Sequence, residues 1–233
     1  MRYCGVTPVG TEHLQLATLE EVRGPEPPVR MHALFYEPGG PAEVATELRA
    51  LDEVVVAIAA PAGSGRVSDQ MLDDRGVPAA PGSPAAQHLY AGLTDLPRFG
   101  PAAQEPGVVE APVPEGAFRS APLIETSADG IFFALQGRRL PSRRHPFGME
   151  LRIGALGEEH VLDDGGDLWH RRIEEIEAAA AALCAHRYAV GHACWVGESG
   201  EGVVVLPGTE LPEYFDPRGT VPPVERLPLS PAG

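Results

Sequence analysis

Glu53-Val54-Val55-Val56-Ala57-Ile58-Ala59-Ala60 is the stretch that decides the fold. From Val54 onward it is apolar at every position, without the polar alternation of a strand that has one wet face. Such a run fits a strand covered on both sides, in the middle of a parallel or mixed sheet. Working back from it, Glu43 to Leu51 carries Val44, Leu48 and Leu51 at helical spacing, with Pro41 just ahead as an opening residue. Before that, His13-Leu14-Gln15-Leu16-Ala17-Thr18 and Arg30 to Tyr36 alternate, and Tyr3 to Val6 is a short apolar run stopped by Pro8. Turn residues separate these three segments, which predicts an antiparallel meander. Three strands, a helix and a buried parallel strand then require a right-handed crossover.

Downstream of Ala60 the periodicity weakens. Residues 61–119 are rich in Pro, Gly and Ala, which reads as an elaborated loop region holding one or two short helices, least ordered from Pro97 to Pro114. Ala121 to Thr126 is a short apolar strand, and Ile131 to Leu135 starts a helix. The clearest helix runs from Asp167 to Ala189, with Leu168, Ile173, Ile176, Ala180 and Leu183 as its apolar stripe and Gly191 as its stop. Cys194 to Val196 and Gly202 to Leu206 predict a closing hairpin. The expectation is an α/β protein: a mixed sheet, three antiparallel strands then parallel strands, with flanking helices and a loop-rich insertion. One domain would cover residues 1–210, followed by a Pro-rich tail at 211–233.

Composition narrows the function. A hydrophobic fraction of 43% and a charged fraction of 22% are those of a soluble globular protein. The 18 basic side chains against 33 acidic ones leave a formal charge of −15, which repels polyanions at long range and disfavours nucleic acid as a partner, though a local basic patch can still act. Lysine is absent, which excludes Schiff-base chemistry, a pyridoxal-phosphate anchor and a P-loop. Cys4, Cys184 and Cys194 are odd in number and form no C-x-x-C pair, as expected of reduced, buried thiols in a cytoplasmic protein. No apolar run reaches the roughly 18 residues of a membrane span, so no membrane partner is expected.

Four stretches, in this order, resemble an uncharacterised RNase H-like predicted-nuclease family related to RuvC resolvases. They are Arg2-Tyr3-Cys4-Gly5-Val6-Thr7; Val55 to Pro61 with Arg66 and Asp69 beyond it; Ile124-Glu125-Thr126-Ser127; and Ile173-Glu174-Glu175-Ile176-Glu177 with the alanines that follow. Glu201 to Pro207 looks like that family's last strand. The resemblance implies an RNase H-like sheet and, for intact members, metal-dependent phosphodiester hydrolysis with Mg²⁺ or Mn²⁺. Two-metal hydrolysis needs several carboxylates converging from strand ends and a helix. The family places acids at the end of the first strand and of the buried strand, where this chain has Thr7 and Ala59. Glu125, Glu174 and Glu177 are the surviving candidate catalytic and metal-binding residues, the last two on one helix face.

Two consequences stay open from the sequence. Either Glu12 or Asp69 reaches in from a loop and a nuclease is rebuilt, or metal binding is given up while the fold is kept, which is the favoured reading. In the second case the protein is a non-catalytic scaffold for a phosphate-bearing ligand or a protein partner, without a cofactor. Its basic residues would be Arg66, Arg143, Arg144 and Arg152, the last three in a concentration that also includes Arg138 and Arg139. Arginine binds phosphate bidentately, whereas the competing account of this concentration is a surface loop balancing nearby acids. Only Phe147 interrupts it as an aromatic, which weakens single-strand stacking.

Overall fold

The computed structural model describes residues 1–24, 29–100, 110–198 and 200–212. In chain order the elements are strands β1 (Arg2–Val9), β2 (His13–Arg23) and β3 (Val29–Phe35), helix α1 (Pro41–Ala50), strand β4 (Val54–Ile58), and helices α2 (Val67–Asp74) and α3 (Pro84–Gly92). Strand β5 (Glu110–Pro112), a 3-10 turn at Ala117–Arg119, strand β6 (Leu123–Glu125), and helices α4 (Ala128–Gln136) and α5 (Pro146–Glu158) follow. The chain continues with strand β7 (Val161–Leu162), helix α6 (Ile173–Ala189) and strands β8 (Ala193–Glu198) and β9 (Gly202–Pro207). The result is an α/β fold on a mixed six-stranded sheet of order β6-β4-β1-β2-β3-β7. The first three strands are antiparallel; β4 runs parallel to β1, and β6 parallel to β4. Among the described residues no helix is long and apolar enough to cross a membrane. The tail placed at 211–233 lies outside the described residues from 213 onward, as do 101–109 of the loop-rich insertion.

The uniformly apolar run became β4, and its predicted double burial is the organising feature. On one face, Cys4, Val6, Val56, Ile58 and Leu123 pack with Val44, Leu48 and Leu89 of α1 and α3. On the other, Tyr3, Val55, Ala57 and Ile124 pack with Ile176 and the alanines of α6. Helix α6 lies against the central strands so closely that β1 must offer a glycine: a Cβ on Gly5 would stand 2.0 Å from the Ala178 carbonyl oxygen and 2.2 Å from the Ala182 nitrogen. Alanine on the helix and glycine on the strand are two halves of one contact.

Several expectations are corrected. Pro8 does not end the first strand, which continues to Val9. Leu14, opposite Pro8, exchanges both backbone hydrogen bonds with Gly39 on its far side, so the proline's missing N–H falls where β2 asks for none. The long helix begins at Ile173 rather than Asp167, because Asp167 accepts from the Trp169 N–H at 3.1 Å in a turn and Glu175 accepts from the Arg172 N–H at 2.8 Å to start the helix proper. Nor does α6 bury a stripe: every residue from Glu175 to His186 is buried, since the helix is enclosed by the main sheet and by β8 and β9. The closing hairpin forms as expected, but it belongs to a second, three-stranded sheet of order β5-β8-β9. Helix α5 went unread because Gly148, Gly154 and Gly157 lower its propensity; Pro146 in the first turn and buried Ile153, Ala155 and Leu156 establish it.

Gly5→Ala should therefore cost about 3 kcal/mol or more, because backbone rather than a flexible side chain must move. Gly154→Ala, on the exposed side of α5 with open space around it, should gain about 0.5–1 kcal/mol. Urea-unfolding midpoints of the two variants check this; equal midpoints would refute the close-contact account.

Candidate functional site

The parallel register brings the carboxyl ends of three strands together. Val6 pairs with Ile58 and Ile58 with Glu125, and the chain continues the ladder through Ala59 N–H to Val6 O (2.7 Å) and Thr126 N–H to Ile58 O (3.0 Å). Thr7, Ala59 and the Glu125–Thr126 pair consequently stand side by side at this edge. Strand alternation then sorts their side chains. Thr7 and Ala59 continue the α6 face, as does Thr126, whose hydroxyl donates to Val205 O at 2.7 Å. Glu125 leaves with Leu123 on the opposite face.

That parity separates the three acids. Glu125, 1% exposed, is held by Arg66 at 2.5 Å and Arg98 at 3.3 Å, and accepts from the Ala62 N–H at 3.3 Å. Asp69 does not reach toward Thr7 or Ala59; it pairs with the same Arg66 at 3.1 Å. Glu12 lines a separate hollow with Thr11, Pro41 and His88. Glu177 does face the strand ends: with Thr7, Ala59, Ser127 and Asp129 it lines a cavity of about 360 Å³, bordered by the 78–83 loop. Glu174 lines none of the described cavities. One of the three predicted acids is therefore at the strand-end cavity.

The Glu177 carboxylate is 2% exposed and accepts from Arg143 at 2.6 Å. Burial pushes its carboxyl above the usual range; the Arg143 pair opposes the shift and the nearby Asp129 charge adds to it. The same hydrogen bond raises the Arg143 guanidinium. The two shifts weigh the pair differently, and burial decides between them: the desolvation cost falls on Glu177, while Arg143, 43% exposed, stays hydrated.

Arg143 also borders a second and larger cavity of about 700 Å³, with Arg139, Arg144, Arg152 and Asp129. Its wall is built rather than incidental. Gly148 lets α5 press on the loop before it, where a Cβ would stand 2.2 Å from Ser142 O and 2.7 Å from Pro141 O. One turn on, Arg152, 2% exposed, donates to Pro141 O and Gly148 O at 2.8 Å each and to Asp129 at 2.6 Å. Arg152 thus fixes the loop and neutralises Asp129, while Arg139 and Arg144 are exposed and have no side-chain partner among the described residues. Four arginines against one aspartate make this a cationic cleft on a strongly acidic chain. Of the predicted phosphate contacts, Arg143, Arg144 and Arg152 meet there; Arg66 belongs to the Glu125 network instead. Asp129 and Arg98 went unread, although Ser127 as an N-cap placed Asp129 in a helix's first turn.

A pair of Mg²⁺ or Mn²⁺ ions needs anionic oxygens turned toward a shared point. Here each buried candidate carboxylate already faces a guanidinium, and the strand ends offer a hydroxyl and a methyl group. The residues present do not fit that metal pair. Compared with protein families, curated proteins and solved structures, the chain matches none of them.

Glu177→Gln tests the burial argument through pH. A raised carboxyl pKa means that Glu177 contributes stability below the ordinary carboxylate range and loses it as pH rises through the folded-state pKa. The stability of Glu177→Gln relative to wild type should therefore rise from about pH 4 toward neutrality and then level off. Denaturant midpoints across that range check the sign; a difference that falls with pH would show that the Arg143 pair outweighs burial.

Proposed function

We propose that this chain is an RNase H-like protein that has exchanged metal ligation for guanidinium–carboxylate pairing and acts as a non-catalytic receptor for a phosphate-bearing ligand. The observation that supports binding most directly is the cationic cleft, where Arg139 and Arg144 have no side-chain partner among the described residues beside Arg143, while Arg152 locks the loop that presents them. Planar guanidinium forks suit phosphate oxygens, and a loop fixed before binding loses less entropy on complex formation. The strand order, with three antiparallel strands followed by β4 parallel to β1 and β6 parallel to β4, supports the RNase H-like reading of the fold. Hydrolysis is disfavoured because the acids it would use are buried against arginine. A small ligand is favoured over a nucleic acid, since a net charge of −15 opposes a long polyanion and leaves a compact phosphate to the local field.

Calorimetric titration with inorganic phosphate tests this reading, with Mg²⁺ and Mn²⁺ titrated in parallel. Phosphate should bind, more weakly as salt is raised, and Arg139→Ala with Arg144→Ala should weaken it by about tenfold or more. Mn²⁺ binding coupled to cleavage of DNA or RNA, abolished by Glu177→Ala, would overturn the proposal in favour of an active nuclease.

A further inference from the structure

We infer that the strand-end cavity is the second half of the same ligand site, and that the ligand is a small, non-aromatic, hydroxyl-bearing phosphate monoester. This inference rests on the anion-receptor reading and names its ligand class. The two cavities are neighbours: Pro78, Asp129 and Arg143 line both. Arg143 is the hinge, since one guanidinium nitrogen is held by Glu177 while the side chain borders the cationic cleft. A phosphate bound among the arginines would direct its esterified oxygen past Arg143 toward Thr7 and Glu177.

The smaller cavity states what it would accept. Thr7 and Glu177 are each 2% exposed, yet neither the Thr7 hydroxyl nor the second Glu177 oxygen has a hydrogen-bond partner among the described residues. Both residues line the open space of the cavity, where the hydrogen-bonding groups of a ligand can reach these oxygens. They call for hydrogen-bond donors. An ammonium group is the poorer candidate, because Glu177 is already neutralised by Arg143 and Asp129 by Arg152. A neutral hydroxyl can donate to Glu177 and both donate to and accept from Thr7. The rest of the lining, Pro8, Gly10, Ala59, the 78–83 segment, Ser127 and Ala128, brings no aromatic ring among the described residues, so it offers no stacking platform for a nucleobase. A volume of about 360 Å³ lies at the low end for ligand pockets and suits a few-carbon body.

Three probes separate the contributions: inorganic phosphate for the cationic cleft, propyl phosphate for the carbon body, and glycerol 1-phosphate for the same body with hydroxyls. Glycerol phosphate should bind about tenfold more tightly than propyl phosphate, the yield of one or two net hydrogen bonds. Thr7→Val should shrink that ratio several-fold. Ala59→Leu, which fills the cavity from its floor, should remove the advantage of both esters over inorganic phosphate. Equal affinity for the two esters, or a ratio unchanged in Thr7→Val, would overturn the inference while leaving the anion receptor intact. Failure of wild-type protein to bind any of the three probes would overturn the receptor reading itself.

Discussion

The contact between Gly5 and the Ala178-to-Ala182 segment sets the geometry of everything else in the molecule. Two backbones approach there without a side chain between them, so α6 is fixed in height and angle over the central strands. Glu177 precedes that contact by one residue. Its carboxylate therefore lies over the carboxyl ends of β1 and β4, a place set by packing near Gly5 rather than by any interaction of its own. A helix held so firmly also explains why a carboxylate can remain buried there at all. Its desolvation cost is set against the many apolar contacts of the same helix, and one guanidinium supplies part of the compensation.

Charge pairing follows one rule throughout the site. Each buried acid is matched to arginine: Glu125 to Arg66 and Arg98, Glu177 to Arg143, and the buried Arg152 to Asp129. The fixed, always-protonated guanidinium is suited to this, because it stays charged where a lysine would lose its proton. In a chain without lysine, the cationic half of every such pair keeps its charge. What remains after these pairings is the exposed charge of Arg139 and Arg144, on a loop immobilised by Gly148 and Arg152. Arginines paired with buried or bordering acids and arginines left exposed are therefore separate populations within one short segment.

The meander, α1, β4 and the hairpin were legible because hydrophobic periodicity reports burial directly, and in those segments burial determines the element. Parity at a strand end was not legible. A shift of one residue decides whether Glu125 or Thr126 faces α6, and β6 is too short for alternation to reveal it. The start of α6 was misread because Leu168 continues the apolar spacing of the helix while Asp167 and Arg171 fold into turns ahead of it. Helix α5 was hidden by its glycines, and Gly148, which looks like a helix breaker in sequence, is there to admit a neighbouring backbone. The basic concentration around Arg143 was visible as composition. Only the structure divides it into a buried brace, a bridge to Glu177 and side chains, Arg139 and Arg144 among them, without a partner among the described residues.

The proposed receptor has arginine where metal chemistry would require a cation, and open charge beside it for an oxyanion. The most direct measurement is anomalous diffraction from crystals of the protein grown with tungstate as a phosphate mimic and with Mn²⁺ in the same drop. A tungsten peak among Arg139, Arg143 and Arg144, with no manganese peak beside Glu177, is the expected result. A manganese ion ligated by Glu177, with Arg143 displaced from it, would show instead that the metal site is retained.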